Sequence, residues 1–157
     1  MNRLSHVSRN RSQGFTLIEL MIVIVIIAIL AALSLNMYSS YVARSQLYEA
    51  FSLSTGVKFE IARRYSENKE PAYYCDPSLL SNLVTSGKYV QKIEITTSDP
   101  CSFTITMKQE GVNDKIKSKS VVIAYNPAGG AQSNVSTWVC TSEIASNIIP
   151  ESCQHTD

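Results

Sequence analysis

The run Leu20–Leu33 is apolar at every position, and no charged residue occurs between Leu20 and Ala43. No other stretch restricts the fold so strongly. Such a segment is stable only as a helix among apolar neighbours, in a bilayer or against similar helices, because its backbone polar groups must pair within the segment. Phe15 to Leu35 spans 21 residues, close to the number a helix needs to cross the hydrocarbon core. One carboxylate, Glu19, lies just inside the apolar start. A charge near a bilayer centre costs about 2.5 to 3.5 kcal/mol or more, so such residues usually serve a purpose. Residues 1–14 carry Arg3, Arg9 and Arg11 and no acid. A basic flank of this kind is the topology-setting half of an export signal and stays cytoplasmic. An ordinary secretory signal has its small-residue cleavage site after the apolar stretch. Here Gly14 precedes it, so cleavage at Gly14 leaves the apolar segment in the mature chain.

The helical pattern continues. From Asn36 to Tyr65 there is no proline and one glycine, Gly56. Leu47, Tyr48 and Phe51, then Phe59, Ile61, Ala62 and Tyr65, include the three- and four-residue steps of an amphipathic helix with a face for a sheet. A helix over Phe15–Tyr65 would be about 75 Å long at the usual rise. Ser66 to Ser86 reads as a connecting loop with Pro71, Asp76-Pro77 and a short helix around Ser78–Val84, ended by Gly87. Strands are expected at Tyr89–Thr96, Ser102–Lys108 and Ser120–Tyr125. In the second, Phe103, Ile105 and Met107 alternate with Thr104, Thr106 and Lys108, as in a half-buried strand. Glu110–Ser118, with Gly111 and Asn113-Asp114, reads as a hairpin connection. Residues 126–136, with Pro127 and Gly129-Gly130, form another turn-rich loop. Trp138-Val139-Cys140 reads as a short final strand, closed by a loop to Pro150 and Cys153. The expected fold is α+β: a long N-terminal helix, half membranous and half amphipathic, on an antiparallel sheet of about four strands. The expected divisions are a leader (1–14), a transmembrane or filament-core helix (15–35) and a globular body (36–157). The body divides into helix second half 36–65, loop 66–88, sheet 89–141 and C-terminal loop 140–153. A fragment starting near Leu47 is expected to fold alone.

With 157 residues, 45% hydrophobic and 17% charged, the chain can build one ordinary domain besides the apolar segment. Of its 14 Lys and Arg residues, three stand in residues 1–14, leaving 11 against 13 Asp and Glu. That is not the strongly basic balance of a general nucleic-acid-binding domain. His155 is the one histidine after Gly14. No Ser-His-Asp or Cys-His arrangement is convincing and no Gly-rich phosphate loop is present, so the inventory argues against an enzyme and calls for no cofactor. Cys75, Cys101, Cys140 and Cys153 all follow the apolar run. Their spacing fits no common zinc site, and an even number beyond a membrane segment points to disulfides in an oxidising compartment. Three connectivities are formally possible. Cys140–Cys153, close in sequence, is favoured, with Cys75–Cys101 by elimination; a loop of about 14 residues is worth roughly 3 kcal/mol in the chain-entropy picture. Lys115, Lys117 and Lys119 alternate and would share one side of an extended segment. One reading is a hairpin edge that lysine protects from strand addition; the sharper one is a patch that tracks DNA phosphates. Asn134-Val135-Ser136 is a glycosylation-like triplet.

Gly14-Phe15-Thr16-Leu17-Ile18-Glu19-Leu20-Met21-Ile22-Val23 resembles the class III signal of type IV pilins and pseudopilins. Ser86-Gly87-Lys88-Tyr89-Val90, Trp138-Val139-Cys140 and Ile149-Pro150-Glu151-Ser152-Cys153 resemble the body and C-terminal disulfide loop of type IVa pilins. The resemblance implies that a prepilin peptidase cuts between Gly14 and Phe15 and that the new Phe15 amine is methylated. It also implies that Glu19 pairs with the N-terminal amine of a neighbouring subunit, an ion pair made specific by the cost of an unpaired buried charge. The implied function is a structural subunit of a pilus serving adhesion, twitching motility and DNA uptake. The implied partners are other pilins in a helical filament, an assembly platform with its ATPases, and a host surface or DNA. The implied location is the inner membrane of a Gram-negative bacterium, single-pass with the body in the periplasm, and then the extracellular pilus. A minor pilin that captures DNA is the second reading, and a secretion pseudopilin a third that Trp138 and the Cys140/Cys153 loop disfavour. Two positions depart from the family's habit: Ala28 where it commonly has Gly, and Asn36 where it has Pro. Both replace helix weak points, so a more continuous helix is expected here.

Overall fold

The computed structural model describes residues 14–97, 100–127 and 137–156; the leader through Gln13, the Gly129-Gly130 turn and the Asn134-Val135-Ser136 triplet lie outside them. Helix α1 runs Leu17–Glu67, 51 residues, and is helical at every position, Ala28 and Asn36 included. Two compact units divide between Asn36 and Met37. In the first, the apolar side chains from Phe15 to Leu35 are exposed on every side. This is the one helix among the described residues that is long and apolar enough to cross a membrane.

The second unit builds its core between α1 and a sheet. The buried stripe of α1 is Ala43, Leu47, Ala50, Ser54, Val57 and Ile61, a regular alternation of four- and three-residue steps. Tyr48 and Phe59, which the size of the residues alone suggests for this face, point to solvent. Position on the helix rather than side-chain size decides which residues are buried, and the Ser54 hydroxyl is satisfied by the Phe51 carbonyl at 2.6 Å. After α1 come a short helix α2 (Pro71–Tyr74) and a 3-10 turn, Pro77–Asn82. That turn starts slightly earlier than the expected helix around Ser78–Val84, because the Asp76 carboxylate accepts the Ser78 N–H at 2.6 Å and fixes its start.

The sheet has five strands in the order β1 (Val90–Thr96), β2 (Ser102–Met107), β3 (Ser120–Tyr125), β4 (Trp138–Ser142) and β5 (Cys153–His155). The first four pair antiparallel. β5 is an addition to the expected sheet and runs parallel to β4. Phe103, Ile105 and Met107 of β2 and Val121, Ile123 and Tyr125 of β3 alternate inward. β1 breaks the alternation: its register shifts between Val90 and Lys92, and this bulge lets Val90 and Ile93 both face the core. At the end of α1, Tyr65 stacks edge-on against Tyr74 (5.2 Å) and Tyr125 (5.3 Å), and Tyr125 meets Trp138 at 4.7 Å.

The β2–β3 connection is less open than its polar sequence suggests. Ile116 is fully buried. The Asn113 N–H donates to Gln46 Oε1 at 2.7 Å, and its amide donates to the Ser39 hydroxyl at 3.0 Å. These anchors, with buried Ala43 and the Arg44 guanidinium on the Asn147 carbonyl at 2.5 Å, all precede Leu47. A fragment from Leu47 lacks these contacts, whereas one from Met37 keeps them. A Met37–Asp157 fragment should unfold cooperatively under oxidising conditions, and one starting at Leu47 should lose about 2 to 4 kcal/mol of urea stability. Equal midpoints for the two would show that the anchors contribute nothing.

Candidate assembly surfaces

At the N-terminal end, a Cβ added to Gly14 meets nothing within 4 Å. Internal packing therefore makes no demand for glycine there. Phe15 is exposed. Glu19 is paired within its own first turn: its Oε2 accepts the Thr16 N–H at 2.9 Å and the Thr16 hydroxyl at 2.6 Å.

A second carboxylate, which the sequence reading did not single out, joins α1 to the sheet. Glu49 Oε1 accepts the Lys88 N–H at 2.7 Å, and Oε2 accepts the N–H groups of Tyr89 and Val90 at 2.6 and 3.2 Å. Gly87 makes room for it, since a Cβ there would stand 2.7 Å from the Glu49 carboxyl carbon. Three donors on one carboxylate form a charge-assisted clasp that fixes the start of β1 against α1. Gly87 was legible as a turn residue; its partner on α1 was not, because nothing local connects them.

The C-terminal loop is held at both ends. The disulfide Cys140–Cys153 bridges paired residues of the parallel β4–β5 strands, with Cα atoms 4.5 Å apart. The second disulfide, Cys75–Cys101, ties the helix-to-sheet connection to the start of β2. Between them these bonds use all four cysteines. Within the C-terminal loop Ile144, Ile148 and Ile149 are buried, and the Ser142 hydroxyl donates to the Ser120 carbonyl at 2.7 Å while accepting the Ile144 N–H at 3.1 Å. A groove of about 350 Å³ lies between this loop and α1, lined among others by Arg44, Tyr48, Phe51, Ile148 and Pro150.

Near the end of α1, Glu60 accepts from Arg63 at 2.7 Å and from Arg64 at 3.0 Å, and Arg63 also pairs with Glu67. The Arg63 hydrogen bond, chiefly, holds the Glu60 carboxyl down to about 2 from its ordinary value of 4.5.

Lys115, Lys117 and Lys119 do not lie along an extended segment. Residues 114–118 are turns, not an extended strand, and Ser118 takes a positive φ of 57°. Alternation therefore does not place Lys115, Lys117 and Lys119 on one side. Lys115 donates to the Ser40 hydroxyl at 2.8 Å and Lys119 to the Glu143 carbonyl at 3.3 Å. Among the described residues no cluster of His, Cys, Asp or Glu could hold a metal ion.

An uncovered apolar helix with a carboxylate near its start and a body cross-tied by two disulfides fit a subunit made for assembly. Comparison with known proteins agrees. Residues 43–154 match the family of pilins of bacterial filaments, and residues 9–35 match the prokaryotic N-terminal methylation motif. A fimbrial protein of Eikenella corrodens is 37% identical over 145 residues, 91% of this chain and 91% of its own. A fimbrial protein of Neisseria meningitidis is 36% identical over 136 residues, 86% of this chain and 76% of its own. A type IV major pilin of Neisseria gonorrhoeae is 38% identical over 134 residues, 82% of this chain and 57% of its own. The chain belongs to the type IV pilin family. Proteins of this family are structural subunits, not enzymes.

Two outcomes follow for the body. Glu49→Ala should lower its unfolding free energy by about 3 kcal/mol or more, since three backbone donors lose a charged acceptor. Gly87→Ala should be similarly costly, and the two losses should not add. Urea midpoints that stay put would dissolve the clasp. For pH, a carboxyl depressed in the folded state stabilises above its unfolded value, and that stabilisation is lost as pH falls through the folded one. The advantage of the native body over Glu60→Gln, present at neutral pH, should therefore fade between 4.5 and about 2. A constant difference across that window would place the titrating group elsewhere.

Proposed function

We propose that this chain is a building subunit of a type IV pilus, processed between Gly14 and Phe15 by a prepilin peptidase and methylated on the Phe15 amine. It waits in the inner membrane with residues 15–35 in lipid and the body in the periplasm. A platform protein and its ATPases then move it into an extracellular filament that serves adhesion and twitching motility. In the filament Glu19 pairs with the Phe15 amine of a neighbour. The observation that carries this reading is the apolar helix from Phe15 to Leu35, exposed on all sides with one carboxylate near its start. Lipid and a bundle of like helices are the two environments that suit it, and passage from one to the other is filament assembly.

The body supports the same reading. Directly opposite the buried stripe of α1, Tyr38, Tyr41, Tyr48 and Phe59 are 68%, 73%, 74% and 70% exposed. Their spacing places them on one side of the helix, and a row of large apolar rings facing water marks an interaction surface. Neighbouring subunits would cover it. The alternative of DNA capture rests on Lys115, Lys117 and Lys119, of which Lys115 and Lys119 each also make a hydrogen bond within the chain.

Mass spectrometry of filaments sheared from the cell surface tests the proposal. The expected chain begins at Phe15 and carries one added methyl group on its amine. Sheared filaments without this chain, or with residues 1–14 still attached, would overturn it.

A further inference from the structure

Glu19 does not wait unpaired for its neighbour. Thr16, the residue just before α1, donates both its N–H and its hydroxyl to one oxygen of the Glu19 carboxylate, at 2.9 and 2.6 Å. The same hydroxyl lies 3.4 Å from the Glu19 N–H, which donates to it. This is the reciprocal pattern of a capping box, with Thr16 at the cap and Glu19 three residues on. Its electrostatics differ from those of a capping box at a water-exposed helix end. Here the acid stands at the mouth of an apolar segment, where a carboxylate without donors is costly.

We infer that Thr16 is a positioning residue for assembly: it holds the Glu19 charge within its own chain until a neighbour's amine arrives. The inference rests on the reading of Glu19 as the assembly contact. Two features of the geometry support it. Both donor groups belong to Thr16, beyond the Gly14–Phe15 bond, so cutting that bond leaves the pairing intact. Both also converge on Oε2, which leaves Oε1 to accept from an incoming amine. The neighbour's amine then adds to a carboxylate already oriented. Without the hydroxyl, Glu19 would have to be desolvated and oriented at the moment of docking.

The test compares Thr16→Ser, Thr16→Val and Thr16→Gly in the full-length chain. Each is read as the ratio of sheared filament to processed, membrane-inserted subunit, so that losses in insertion or cleavage cancel. Glycine ranks with threonine as a helix cap but has no hydroxyl, which separates capping from charge positioning. Loss of a hydrogen bond to a charged group should lower the ratio about tenfold or more in both Thr16→Val and Thr16→Gly. Thr16→Ser, which keeps the hydroxyl, should stay within about twofold of the native chain. A normal ratio in Thr16→Gly would make the hydroxyl a helix cap and nothing more, and the inference would fall. Glu19→Gln distinguishes the two levels. If it assembles normally, the assembly contact itself is wrong. If it blocks assembly while Thr16→Val does not, the contact stands and the role of Thr16 is wrong.

Discussion

Everything in this protein depends on a helical segment that the chain itself leaves uncovered. From Phe15 to Leu35 the side chains are apolar in nearly every direction and exposed in all of them. Water is the one environment such a segment cannot occupy stably. Its burial must come from lipid or from other copies, and this makes association a condition of stability rather than an option. In the proposed filament Glu19 would turn that general stickiness into a directed contact, because an apolar helix bundle tolerates a carboxylate only where a partner meets it.

The body answers a different demand. It is tied at each junction between α1 and the sheet. Cys75–Cys101 holds the connection after α1, Glu49 holds the start of β1, Asn113 holds the β2–β3 hairpin to Gln46 and Ser39, and Cys140–Cys153 with Arg44 holds the C-terminal loop. Apart from the Cys140–Cys153 bond, each tie crosses a long stretch of sequence. The outer face of α1 meanwhile keeps Tyr38, Tyr41, Tyr48 and Phe59 free for contact. The same helix therefore serves the core with one face and presents large rings on the other.

How far the sequence could be read follows from the range of each interaction. Strands β2 and β3 were plain because their alternation is local and regular. The bulge in β1 was not, since it depends on how Val90 and Ile93 both meet the core. Large apolar residues drew the helix stripe toward Tyr48 and Phe59, whereas the buried face also takes Ala43, Ala50 and Ser54. β5 is a three-residue strand, too short to have a period, and it exists because Cys153 is bonded beside Cys140. The alternating lysines misled through an assumption of extended backbone that the turn at 114–118 removes. The Glu49 clasp had no sequence signal beyond Gly87. The Thr16–Glu19 pair is the opposite case: threonine followed three residues later by glutamate is a local capping pattern, legible as a helix start before any neighbour is considered.

In the proposed filament Glu19 meets the amine of Phe15 in another subunit. A helical reconstruction of the native filament measures it most directly, through the distance from each Glu19 carboxylate to the nearest N-terminal nitrogen. A charge-assisted hydrogen bond of about 2.7 to 3 Å between different chains is expected at every subunit. A filament in which Glu19 faces only Thr16 of its own chain, with the Phe15 amines directed elsewhere, would contradict it.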